Sequence, residues 1–329
     1  MLKTPYIIAE IASAHEGDAN LLSKIANEAI NSNADAIKFQ IFKRDNLISP
    51  TNPLFDEFGE IEISPSNWHK LIREFSLKKI DLITEVFDYE SLEIIKGFDI
   101  DIKVPSASIS DTKYLKHVSD FTNRIFLAVG GSTLKEIESA LSILQNGKKK
   151  QIILQCGFQN FPTKIEDSNL SQIEFLNNKF GLSMAYADHV DAEDVSMRFT
   201  IPALAYFMGA QYIEKHITLN RSHKGRDYYS SLNPDEFKEF AKNLRELKNS
   251  FGDPNNMGKT DAEIKYKSFS KKYAVAKNKI NAGKKCDIQD FSFLRTAEVG
   301  ISEQEFILFV GKEIKKDLNV NDLLFDYYF

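Results

Sequence analysis

The feature that most constrains this chain is a rhythm. Short runs rich in Ile, Val and Phe recur, each followed by an amphipathic segment of helical period. The runs cover residues 6–12, 36–42, 81–87, 99–105, 124–129, 151–156, 182–186 and 212–218. Segments 21–31, 65–77, 133–145, 191–208 and 235–250 lie between or after them, with apolar positions three and four apart. Asn233-Pro234-Asp235-Glu236 opens the last of these as a helix start, with Pro early and acids in the first turn. Eight strand–helix units in roughly 250 residues match an α/β chain closed into a (β/α)8 TIM barrel. A doubly wound open sheet competes, but it wants fewer units and a Gly-rich phosphate turn after the first strand. The turn here, from Glu10 to Gly17, holds a single glycine. The barrel is the expected fold.

Residues 1–250 supply the barrel. At 251–268 the texture shifts to Gly, Pro, Asn, Lys and Asp, which is linker composition. Residues 269–329 carry short strand-like pieces and small turns, thin for a self-sufficient core. A net charge of −5 with no basic block argues against nucleic acid as the main ligand. No apolar stretch approaches the length of a membrane span. Met1-Leu2-Lys3-Thr4-Pro5 lacks the layout of a signal peptide, so a cytoplasmic protein is expected. Cys156 and Cys286 give neither a disulfide framework nor metal-ligand spacing.

Barrel function sits at the C-terminal ends of the strands. Those positions hold Glu10, Lys38, Gln40, Glu85, Lys103, Ser106, Ser108, Gln155, Gln159, Asp188, His189, Glu214, Lys215 and His216. Charges on nearly every strand are costly unless they serve one another or a ligand. Lys38 and Lys103 each interrupt an apolar run, which suits a phosphate or carboxylate ligand. A Schiff-base lysine is the rival reading. His189 and His216 end neighbouring strands and can converge on a divalent transition metal. The bland reading is a pair of hydrogen-bonded structural histidines. His15 and His223 lie in loops near the mouth, while His69 and His117 fall in helices.

Ile7-Ile8-Ala9-Glu10-Ile11, His15-Glu16-Gly17-Asp18, Ala34-Asp35-Ala36-Ile37-Lys38-Phe39-Gln40, Lys103-Val104-Pro105-Ser106, Phe161-Pro162-Thr163, Tyr186-Ala187-Asp188-His189 and Ile213-Glu214-Lys215-His216 occur in this order. In order and spacing they resemble the sialic acid synthase (N-acetylneuraminate synthase) family. The tail, with Gly283, Arg295 and Gly311-Lys312, is similar to that family's C-terminal SAF (antifreeze-like) domain.

The resemblance implies a phosphoenolpyruvate-dependent condensation with an N-acyl hexosamine such as N-acetylmannosamine. The products are a nine-carbon 2-keto-3-deoxy sugar acid and phosphate. It implies that His189 and His216 hold a divalent metal, Mn2+ before Co2+ or Mg2+. Lys38, Lys103, Ser106 and Gln159 take phosphoenolpyruvate, and Glu10 handles the water that attacks C2. Glu214 and Asp227 line the sugar side. Arg295 reaches the acyl group from a tail that caps the partner's barrel in a domain-swapped homodimer. Ala128, Ala187 and Phe161 stand where relatives carry hydroxyl groups, and Arg295-Thr296-Ala297 replaces an Arg-Pro-Gly stretch. These departures open an alternative acceptor, such as a di-N-acetylated aldose. A catalytically silent sugar-binding barrel is the non-enzymatic alternative, against which the retained histidines, lysines and Glu10 speak.

Overall fold

The computed structural model describes residues 3–121, 124–147, 151–160 and 162–329. Eight strands close into a parallel barrel in sequence order: β1 (Tyr6–Glu10), β2 (Ala36–Ile41), β3 (Asp81–Val86), β4 (Asp101–Val104), β5 (Ile125–Ala128), β6 (Ile152–Cys156), β7 (Ser183–Asp188) and β8 (Ala210–His216). The ring closes by β8 against β1, with Tyr6 opposite Tyr212 and Glu10 opposite His216.

The helices are α1 (Ala19–Asn31), α2 (Arg44–Leu47), α3 (Phe55–Ile61), α4 (Pro65–Ser76), α5 (Tyr89–Ile95), α6 (Thr112–Val118), α7 (Leu134–Gln145), α8 (Ser171–Phe180), α9 (Met197–Phe207) and α10 (Pro234–Leu247). Local chemistry sets their starts. Asp18 caps α1 by accepting from the Asn20 N–H, and Thr133 with Glu136 forms a capping box on α7. Asn233, Pro234 and Glu236 start α10 as their order expects.

Strand side chains alternate between faces. Outward residues such as Ile7, Ile37, Ile102 and Leu154 join the helices in one buried shell. Inward, Ile8, Ala36, Ile83, Phe126, Ile153, Ala185 and Tyr212 pack into a separate apolar plug. Below it, at the N-terminal ends of the strands, Arg124 bridges Asp81 at 2.7 Å and Asp101 at 2.6 Å and donates to the Tyr6 hydroxyl. The barrel is a filled core closed at the bottom, so chemistry is confined to the top.

The chain divides into two compact units between Phe251 and Gly252. In the second, β9 (Lys272–Ala276) pairs antiparallel with β10 (Phe291–Arg295). Phe291, Phe306, Ile314 and Leu318 form its core. The stretch expected as a linker is structured. Residues 261–270 form helix α11 (Asp261–Ser270), started by a capping box of Thr260 and Glu263. Its Gly- and Lys-rich composition concealed that local start signal.

Candidate active site

The same alternation that builds the plug builds the site. Two residues beyond Ile8, Ala36, Ile83, Ile153 and Tyr212 stand Glu10, Lys38, Glu85, Gln155 and Glu214, facing inward. With Lys103 from β4 they floor a cavity of about 600 Å³ at the C-terminal end of the barrel.

The floor is a closed charge network. The Lys38 ammonium pairs with Glu10, with Glu85 at 2.7 Å and with Glu214 at 2.8 Å. Lys103 meets Glu214 at 3.0 Å and Glu85 at 3.3 Å, and Gln155 donates to Glu214 at 2.8 Å. Burial alone would depress the Lys38 ammonium, but Glu10, Glu214 and Glu85 outweigh it and raise its pKa. Burial would likewise raise Glu214, yet Lys103 and Lys38 hold it well below the carboxylate range. For Glu10 burial wins, and its pKa is pushed up to about 8. Glu10 is therefore a carboxyl group able to hold or take a proton near neutral pH. It accepts the Ala12 N–H at 2.6 Å, and Ala12 holds a left-handed φ of 44° to present that donor.

His189, just after β7, and His216, at the end of β8, are buried with ring centroids 5.1 Å apart. Burial holds His189 at about 3. Burial, then His189, holds His216 well below its usual value, so both rings are neutral. The Nδ1 of His189 and both ring nitrogens of His216 have no hydrogen-bond partner. Buried imidazole nitrogens without partners fit a divalent transition metal. Among the described residues no group of three His, Cys, Asp or Glu side chains converges as a cage. Water or substrate oxygens would fill the remaining positions.

The other expected residues separate. Ser106 opens the turn after β4 and lines the cavity with Lys103. Asp227, with φ +60°, accepts the Ser13 N–H at 2.8 Å, and burial raises its pKa. Gln159, expected on phosphoenolpyruvate, lines the cavity and donates to Asp227 at 3.2 Å. Gly157 bends that loop, because a Cβ there would lie 2.2 Å from the Ala187 carbonyl oxygen. Gln155, on β6, lies on the floor itself. Arg295 is exposed at the end of β10 in the second unit. Phe161 lies outside the described residues.

His15 is buried, accepts from the Gly17 N–H at 3.0 Å and is pushed down to about 4 by burial. His223 is exposed beside Asn220. Both are loop-structure residues. Sequence reasoning missed Arg226, which lines the cavity and meets Glu57 at 3.1 Å. It also missed the apolar wall of Leu47, Leu54, Phe58 and Ile61. No local signal marks a pair 169 residues apart.

Residues 25–256 match the model described as the NeuB family. The chain is 31% identical to the N,N'-diacetyllegionaminic acid synthase of Campylobacter jejuni, over 98% of this chain and 99% of that one. It is 23% identical to the N-acetylneuraminate-9-phosphate synthase of Drosophila melanogaster, over 98% and 95%. Among solved structures, the N-acetylneuraminic acid synthetase of Leptospira borgpetersenii in complex with citrate aligns with TM-score 0.71 and 27% identity. That alignment covers 80% of this chain and 92% of the other.

Proposed function

This chain belongs to the NeuB family, and from that premise we propose that it condenses phosphoenolpyruvate with the open-chain aldehyde of an N-acyl hexosamine. The observation that carries the reading is two successive layers of inward positions. They bring the buried ammonium groups of Lys38 and Lys103, the high-pKa Glu10 and two neutral histidines to one cavity.

In the reaction, C3 of phosphoenolpyruvate bonds to the aldehyde carbon and water adds at C2. Phosphate then leaves C2, which becomes the ketone of a 2-keto-3-deoxy sugar acid. Lys38, Lys103 and the Ser106 hydroxyl bind the anionic substrate, displacing carboxylate partners of the resting network. Glu10 takes the proton from the attacking water. Asp227 and Glu214 accept from sugar hydroxyls, and Gln159 orients Asp227. His189 and His216 would hold a divalent metal, with Mn2+ favoured. When bound, such a metal would supply Lewis-acid polarisation of the acceptor carbonyl.

The 31% identical legionaminate-type relative favours a di-N-acylated acceptor over N-acetylmannosamine. For the second unit, an SAF-type role in a homodimer is proposed, with Arg295 donating to the acyl carbonyl in the partner's barrel.

The test is phosphate release from phosphoenolpyruvate against a panel of mono- and di-N-acyl hexosamines. Release should require a sugar, vanish on thorough chelation and return with Mn2+ or Co2+. Full turnover in metal-free protein would remove the metal role of His189 and His216. Release indifferent to the sugar would remove the condensation.

A further inference from the structure

Resting on the metal role proposed above, we infer that Asp188 and Lys215 are positioning residues for His189 and His216. They form an ion pair on the outer face of the barrel that selects the register in which the two imidazoles meet. Each member stands one residue before a histidine. Side chains alternate between faces, so the histidines line the cavity while Asp188 and Lys215 point the other way. There the two pair with each other, both fully buried. On that side, outward neighbours such as Ile7, Ile37 and Leu154 build an apolar shell.

The rings take little orientation from side chains. The Nδ1 of His189 and both nitrogens of His216 have no hydrogen-bond partner among the described residues. A ligating imidazole is commonly held through its second nitrogen, so here the 5.1 Å separation is set by the backbones the rings leave. On one side His216 is fixed by the β1 ladder, where it stands opposite Glu10. The β7–β8 seam is less determined. Met184 faces Ala210 but Ala185 faces Tyr212, so the register shifts by one extra residue on β8. Beyond such a shift the ladder can resume in more than one alignment, and a slip displaces every later side chain. Asp188 opposite Lys215 is the last rung of that ladder, immediately before the histidines. Opposite charges in an apolar shell tolerate only the alignment that joins them. Stability alone does not account for the pair. Removing one ion strands the other, but replacing both with well-packed apolar side chains is often neutral or stabilising. Selecting a register is the best-attested use of such buried groups.

The experiment measures Tm, and Mn2+ affinity by electron paramagnetic resonance, for the full native chain and for D188L/K215M. The double variant should fold with a Tm at or above native, since neither ion is left unpaired. Its Mn2+ affinity should nevertheless fall about tenfold to a hundredfold. Native affinity in the folded double variant overturns the inference and leaves the metal role standing. A native chain that binds no more Mn2+ than H216A removes the metal role, and the inference with it. If D188L/K215M does not fold, D188N/K215Q decides by the same comparison, as a neutral pair that can still hydrogen-bond across the rung. Affinity clearly below native in that variant supports the register role, and native affinity overturns it.

Discussion

At the scale of residues, the account turns on which charges are paired and what remains when one is removed. Lys103→Met takes one cation from the floor and should weaken phosphoenolpyruvate far more than sugar. A charge-assisted hydrogen bond is worth roughly 1.5–3 kcal/mol, so KM for phosphoenolpyruvate should rise about tenfold to a hundredfold. Steady-state kinetics with each substrate varied checks it, and an unchanged KM places the anion elsewhere. Lys38→Met should act in the same direction and also lower stability, since Glu10, Glu85 and Glu214 all face that ammonium. A different pair shows the structural extreme. Asp188 and Lys215 are fully buried against each other behind the strands that end in the histidines. Lys215→Met strands a buried carboxylate and should cost about 3–5 kcal/mol of unfolding free energy, read by urea titration. Most of these residues were legible because period-two alternation fixes a face once the strand is known. Gln159 was less legible because loop residues carry no such period; the structure has it at the cavity wall beside Asp227.

At the scale of elements, the helix start that the sequence announced at Asn233-Pro234 is the one the structure uses. The junction of the β8 loop with α10 is an ionic clamp. Arg221 meets Glu236 at 2.5 Å and Arg198 meets it at 2.8 Å, while the Asn233 N–H donates to the same carboxylate. Burial would raise Glu236, but these donors bring it down to about 2 from 4.5. A depressed folded-state pKa means the clamp stabilises above pH 4.5 and loses that contribution as pH falls towards 2. Glu236→Gln should therefore lower Tm at pH 6, and the difference from native should shrink steadily below pH 4.5. A Tm difference constant across that range would mean the clamp is not ionic. The helix α11 was hidden because a Thr260–Glu263 box is a short signal inside Gly- and Lys-rich surroundings. Likewise α2 and α3 hold four and seven residues, too short for periodicity to mark.

At the scale of the whole molecule, the barrel was readable because its rhythm repeats eight times, whereas the second unit showed in the sequence only as a small piece with short strand-like runs, which the structure holds as β9 and β10 around one small core. Contacts such as Arg226 to Glu57 join residues from opposite ends of the barrel sequence, and only the closed ring brings them together. No helix among the described residues is long and apolar enough to cross a membrane. The proposed homodimer, with Arg295 acting in trans, is tested by co-expressing Arg295→Ala with His216→Ala under separate tags. A mixed dimer should recover about half of native activity, because one of two symmetric sites is then intact. A dead mixed dimer would place Arg295 within its own chain's site. The central claim is a new carbon–carbon bond made in this cavity, and labelled carbon tests it most directly. Phosphoenolpyruvate carrying 13C at all its carbons, an N-acyl hexosamine and Mn2+ are incubated with the native chain, and the products are read by mass spectrometry. The account predicts one sugar acid containing every labelled carbon for each phosphate released. Labelled pyruvate in its place, with the sugar recovered unchanged, would contradict it.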